Sequence, residues 1–259
     1  MSNVVWLVRH AEMAHHRADV GLVGRGRAQA EATGKALAEH ISPDDSVFIS
    51  YSPVKRARET ANLMYDSIRA AHAANDDQRP ASLHAPSSDV ALRNAGFMPG
   101  ERTSPVEPSR LYDLTTDPDV LLSLPCDQAD FYRGFWDSAD PMGYWLAHDS
   151  GGGAETPAAV QRRVLDRLRE IFCSNGGQPG STFWALVTHS APMRAVLQLA
   201  LGSDPGEPDF SETVRIENAG APERATVWHR GTVASLSLYD AHDSARADHG
   251  AREEPDGVL

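Results

Sequence analysis

Three short apolar runs constrain this chain more than any other feature, because each stops abruptly at residues that can do chemistry. Val4-Val5-Trp6-Leu7-Val8 ends in Arg9-His10, Ser46-Val47-Phe48-Ile49-Ser50 ends in Tyr51-Ser52, and Phe183-Trp184-Ala185-Leu186-Val187 ends in Thr188-His189-Ser190. Their length and their β-branched and aromatic content predict buried strands. Each is followed by a helical pattern, the arrangement of a parallel sheet, and open α/β sheets bind ligands beyond the carboxyl ends of their strands. The first run alone reads as a strand with a charged end. Its recurrence turns the polar ends into a candidate site.

The intervening segments fit that architecture. Residues 26–40 (GRAQAEATGKALAEH) are rich in helix formers, with Gly34 a tolerated weak point. Pro53 stands where a second helix begins, running to about Ala74, with Lys55, Arg56 and Arg58 in its opening turns. Cations there oppose the helix dipole, a penalty that a nearby anion removes. Thr156 and Pro157 make an N-cap and first turn for a helix in which Val160, Val164, Leu165, Leu168, Ile171 and Phe172 keep helical spacing. Pro192 starts a further helix that Gly202 stops. Thr213–Ile216 and Ala225–Tyr239 read as antiparallel strands turning near Arg230-Gly231.

Between about 76 and 150 the composition changes. Asp, Pro, Ser, Gly and Asn dominate at first, and an aromatic group follows: Phe131, Tyr132, Phe135, Trp136, Tyr144 and Trp145. This is read as a cap-like insertion packed over one edge of the sheet, its aromatics chiefly local core. Residues 241–259 are polar and charged, and are expected to form a disordered acidic tail. The expected fold is therefore α/β: one domain over 1–240, three-layer α/β/α, with a mainly parallel central sheet and an inserted cap region.

Charge narrows the function. Asp and Glu number 36 against 24 Lys and Arg, giving a net charge of -12. Binding to nucleic acid or to an anionic membrane needs a basic face and is not expected. A locally positive pocket for a small phosphorylated metabolite remains compatible. Cys126 and Cys173 lie in no CxxC pattern, and the start of the chain lacks the pattern of a signal peptide, so a cytoplasmic location is expected.

Two histidines and two arginines brought to one end of a sheet specify a phosphate site. Guanidinium forks match phosphate oxygens and stay charged at any working pH. A neutral imidazole can attack phosphorus while the fixed cations hold the charge that develops on the oxygens. His16, close behind His10 in a polar loop, and Ser190, next to His189, are candidate substrate contacts.

These motifs resemble the histidine phosphatase superfamily, the phosphoglycerate-mutase-like fold. Leu7-Val8-Arg9-His10-Ala11-Glu12 is similar to its LVRHGE start, with Ala11 in place of glycine. Ser52 to Ala61 (SPVKRARETA) resembles its SPLxRAxQTA block and Val187-Thr188-His189 its VTH block. Leu22 to Gly26 is similar to LTxxG, and Gly153-Ala154-Glu155-Thr156 to a degraded GES. The resemblance implies that His10 is the nucleophile, that Arg9 and Arg56 bind the phosphoryl oxygens, and that His189 completes the pocket. It implies no metal and no organic cofactor.

One position departs from the family. Its members commonly protonate the leaving oxygen from a glutamate in an LxExxxG segment. Here the comparable stretch is Leu92 to Phe97, with Asn94 at the acid position. An amide is no general acid near neutral pH. Glu155 is the first candidate replacement and Glu12 a weaker one, while Asn94 is a candidate substrate contact. The expected activity is phosphomonoester hydrolysis through a phosphohistidine. The alternatives are a phosphomutase of the same fold, or a binding protein that has lost the acid. The aromatic insertion points to a ring-bearing phosphate stacked on a residue such as Trp136 or Trp145.

Overall fold

A computed structural model describes residues 3–73, 82–174, 181–218 and 223–239. The expected tail at 241–259 lies outside the described residues. β1 (Asn3–Arg9) is the seam of a mixed sheet. On one side it pairs in parallel with β5 (Thr182–Thr188), which pairs in parallel with β2 (Ser46–Tyr51). On the other side it pairs antiparallel with β6 (Thr213–Asn218), followed by β7 (Arg224–His229) and β8 (Thr232–Ser237). The central three strands are parallel as expected; β6 to β8 make the other half antiparallel.

Burial explains this division. β1 and β5 are apolar on both faces because helices cover both. Val5, Leu7 and Leu186 pack toward α7 (Pro157–Cys173) and α8 (Ser190–Leu201). Val8, Phe183, Ala185 and Val187 pack toward α1 (Gly24–Ala38) and α2 (Lys55–Ala73). In β7 and β8 the burial alternates, with Ala225, Val227 and Leu236 inward, as suits antiparallel strands with one wet face. Arg230 and Gly231 join them with both φ angles positive, 46° and 76°, the two-residue hairpin that matches strand twist.

Gly34 is more than a weak point in α1. A Cβ there would lie 2.7 Å from the Met64 carbonyl oxygen and 2.8 Å from its Cα, so the missing side chain is what lets α1 and α2 press together. The basic start of α2 is also resolved. The Asp19 carboxylate accepts the Lys55 backbone N–H at 2.9 Å, supplying a negative charge at the helix N-terminus. Arg56 turns inward and is 2% exposed, while Lys55 and Arg58 remain at the surface.

The insertion begins with β3 (Ser82–Leu83) and β4 (Ser87–Ser88), two short segments paired along β2. A 3-10 turn at Val90–Leu92 follows, then α3 (Pro108–Thr115), α4 (Pro118–Ser123), α5 (Cys126–Asp137) and α6 (Pro141–Ala147). Among the described residues of this segment, the stretch 82–89 runs along the edge strand β2, while the helices that follow lie elsewhere, contrary to the expectation for the whole segment. The helical part has its own core of Phe97, Leu111, Phe131, Tyr132, Phe135 and Trp145, seated on Val160 of α7 and Ala191 and Ala195 of α8. Alanines at that face of α8 leave room for the aromatic rings.

Candidate active site

Strand register carries the key groups to one place. Arg9 is paired with Thr188, and Tyr51 with Val187, so β1, β2 and β5 end level with one another. The ladder runs one residue further, with His10 N–H donating to the Thr188 carbonyl at 2.9 Å and Ser52 N–H to the Val187 carbonyl at 2.9 Å. His10 and His189 therefore leave adjacent strand ends, and their rings meet edge to face with centroids 5.1 Å apart. Thr60 of α2 accepts the Ala11 N–H at 3.0 Å, fastening the turn after His10 to the helix that carries Arg56.

Arg56 lies between the two histidines. Its Nε is 3.3 Å from His10 Nε2, and its Nη2 is 3.3 Å from His189 Nδ1. An arginine can only donate, so both ring nitrogens present lone pairs to it. The protons then sit on the other nitrogens, where His10 Nδ1 donates to the Ala11 carbonyl at 2.9 Å and His189 Nε2 to Ser52 Oγ at 2.8 Å. Burial and then the Arg56 charge hold both imidazoles well below their ordinary pKa. His10 is thus a neutral ring with an oriented Nε2 lone pair, the form a nucleophile requires.

Arg9 is held from the other side. Its Nη2 is 2.7 Å from a Glu207 carboxylate oxygen, its Nη1 donates to the Pro208 carbonyl, and its guanidinium lies 4.3 Å over the Phe210 ring. Arg9 Nε is a buried N–H with no hydrogen-bond acceptor among the described residues, and Arg56 Nη1 has only the Asp19 carboxylate, 3.6 Å away. Buried donors left unpaired cost about 1–3 kcal/mol each.

A cavity of about 750 Å³ opens above these groups. Arg9, His10, Arg56, His189, Asn94, Ser190 and His16 all line it, so seven sequence-level candidates converge. His15 lines it too, beside His16, which stacks on Phe210 with centroids 6.5 Å apart. Ser190 Oγ donates to Glu207. Trp136 lines the cavity, but Trp145 is buried and donates its Nε1–H to the Glu155 carbonyl at 2.8 Å, so it offers no stacking face.

Glu155 does not line the cavity. Its carboxylate accepts from Arg93 at 2.9 Å, Arg163 at 3.0 Å and the Gly96 N–H at 3.1 Å, which ties α7 to the segment around Asn94. A carboxylate committed to two guanidiniums is a structural anion, and this removes Glu155 as proton donor. Glu12 is likewise turned away, toward Arg25 at 3.4 Å.

Four acidic groups near the site escaped the sequence reading, the first being Asp19, 3.6 Å from Arg56 Nη1. Glu107, the residue before α3, lies 3.1 Å from Arg56 Nη2. Glu207 bridges Arg9, Ser190 and Arg194. Asp140, the N-cap of α6, pairs with Arg194 through two contacts of 2.7 Å. Arg194 is fully buried and also meets Asp204, so one side chain of α8 latches the insertion and the 203–212 loop to the sheet domain. Burial disfavours its charge, but the hydrogen bonds it donates to Asp140 and Asp204 more than offset that and raise its pKa. Glu107-Pro108 does carry one local signal, proline at the first turn of a helix.

Among the described residues, no group of three or more His, Cys, Asp or Glu side chains is placed to hold a metal ion. No helix among them is long and apolar enough to cross a membrane.

A three-layer α/β fold with paired histidines and arginines at the strand ends defines a phosphoryl-handling class of protein. The family model of the histidine phosphatase superfamily (branch 1) matches residues 5–78 and 128–220, more than half of the chain, and the protein belongs to that family. Among solved structures, Bacillus stearothermophilus YhfR is similar, with 20% identity, a TM-score of 0.54, and 88% of this chain and 96% of that one covered. The phosphoglycerate mutase from Bacillus anthracis str. Sterne has 19% identity and a TM-score of 0.52, with 95% of this chain and 98% of that one covered. A mycobacterial glucosyl-3-phosphoglycerate phosphatase has 15% identity and a TM-score of 0.52, covering 85% of this chain and 92% of the other. At such identities the likeness is one of fold. No curated protein matches by sequence.

Proposed function

We propose that the protein is a phosphomonoesterase that works through a phosphohistidine at His10. One observation carries this reading. His10 lines the cavity as a neutral ring whose Nε2 lone pair meets Arg56 Nε, a donor that a phosphoryl oxygen would take over, and His189 and Arg9 line the same cavity. In the first step the Nε2 pair attacks phosphorus as the P–O bond to the ester oxygen breaks. Arg9 and Arg56 bind the phosphoryl oxygens, and His189 hydrogen-bonds the group in transfer. Water then attacks phosphorus, the P–N bond breaks, and the electron pair returns to Nε2.

The substrate is read as a small phosphorylated metabolite whose alcohol portion carries a ring or apolar surface. Tyr112, Trp136, Met142 and Phe210 on the cavity wall support this. Cys126 and Cys173 are free and exposed, which fits a cytoplasmic protein.

The test is turnover of a phosphomonoester panel beside His10→Ala, with quenching in alkaline denaturant to trap phosphate on the protein. The wild type is expected to hydrolyse p-nitrophenyl phosphate and to carry acid-labile phosphate. His10→Ala should lose both, with turnover down by roughly 10³-fold or more. No turnover and no trapped phosphate in the wild type would sink the proposal.

A further inference from the structure

With Asn94 at the family's acid position and Glu155 committed to Arg93 and Arg163, another group must supply the proton to the leaving oxygen. We infer that Glu107 is that general acid, reaching the site from the start of α3 rather than from the segment that usually carries the acid. This rests on the phosphatase reading above. Glu107 Oε2 is 3.1 Å from Arg56 Nη2, the same nitrogen that lies 3.3 Å from His189 Nδ1. The carboxyl is thus one guanidinium away from the transfer point. Glu107 itself is not among the residues that line the cavity, but its sequence neighbour Pro108 and Asn94 both are. The side chain keeps 24% of its surface exposed, so a proton can be replenished from solvent.

The neighbouring acids are differently placed. Glu207 is occupied by Arg9, Arg194 and Ser190 Oγ. Asp140 is held in a two-pronged pair with Arg194. Glu107 has a single guanidinium partner at hydrogen-bond distance. Asp19 and Arg163 also act on it from the loop after β1 and from α7. Burial outweighs the Arg56 charge and raises its pKa, which favours the protonated carboxyl that an acid must be. A phosphate dianion at Arg56 acts in the same direction. As the P–O bond breaks, its electron pair goes to the ester oxygen, which takes the proton from the Glu107 carboxyl and leaves as an alcohol. In the second step the carboxylate accepts a proton from the attacking water, restoring both groups.

Glu107→Gln separates acid catalysis from mere support of Arg56. Two esters are compared in the wild type and the variant: p-nitrophenyl phosphate, whose leaving group needs little protonation, and a simple alkyl phosphate, whose leaving group needs it. The alkyl ester is expected to slow by about 10²–10⁴-fold and p-nitrophenyl phosphate by no more than about tenfold. The variant should also lose the fall in alkyl-ester kcat at rising pH, and Asn94→Glu added to Glu107→Gln should recover part of the rate. Equal slowing of both esters, with the pH profile unchanged and no rescue, overturns the assignment while leaving the phosphatase reading standing. Failure of the wild type to turn over either ester sinks the phosphatase reading itself, and the assignment with it.

Discussion

The strand ends and the helical insertion build the same cavity by opposite means. At the strand ends, position is set by the backbone: the pairing of Arg9 with Thr188 and of Tyr51 with Val187 fixes where His10, Ser52 and His189 emerge. In the insertion, position is set by side chains. Glu107 is placed by Arg56, Asp140 by Arg194, and the whole segment by an aromatic core resting on Ala191 and Ala195. Backbone register tolerates surface change. A site held by single charged pairs is lost with one substitution.

That contrast predicts a graded set of outcomes. Arg56→Lys attacks the point where both regions meet. Lysine keeps the charge but loses the planar fork that touches His10, His189 and Glu107 together. kcat/KM for p-nitrophenyl phosphate is expected to fall by about 10²–10³-fold, the scale for a preorganised charge donor. Near-wild-type kinetics would mean that a point charge suffices and that the planar fork of Arg56 is dispensable.

Arg194→Ala attacks only the latch. It strips the buried partner from Asp140, Asp204 and Glu207, and losing one side of such a cluster costs about 3–5 kcal/mol. The figure is an upper bound, because the three carboxylates are partly solvated. Chemical denaturation should show the loss, and limited proteolysis should cut first within residues 98–150. Cleavage spread evenly over the chain would show that the insertion and the sheet unfold as one unit.

The smallest effect is in pH. His10 and His189 are neutral in the fold because burial and Arg56 depress their pKa, whereas in the unfolded chain they titrate near the ordinary 6.5. Between those values the unfolded state binds more protons, so stability is expected to decline as pH falls below 6.5 toward the depressed values. A double His10→Ala, His189→Ala variant should show a flatter decline over that interval. The same slope in both proteins would assign the acid sensitivity to the carboxylates around Arg194 instead.

How much was legible in the chain follows the same division. Apolar runs with polar ends identified β1, β2 and β5 and delivered Arg9, His10 and His189, because burial on both faces leaves a pattern that local sequence displays. Arg56 was legible through its place in the first turn of α2. Gly34 looked like a flaw until its contact with Met64 gave it a purpose. Glu155 looked like an acid because motif position says nothing about which arginines lie nearby; Arg93 and Arg163, 62 and 8 residues away in the chain, decided its role.

By itself the sequence determined the sheet's central strands, the helices between them and the two arginines and two histidines that meet at the cavity, since these depend on periodicity and residue chemistry. Only the tertiary structure decided which guanidiniums each carboxylate meets. Charge pairing is a through-space property. Glu107 and Arg56 are 51 residues apart, and nothing in the spacing between them announces that they meet.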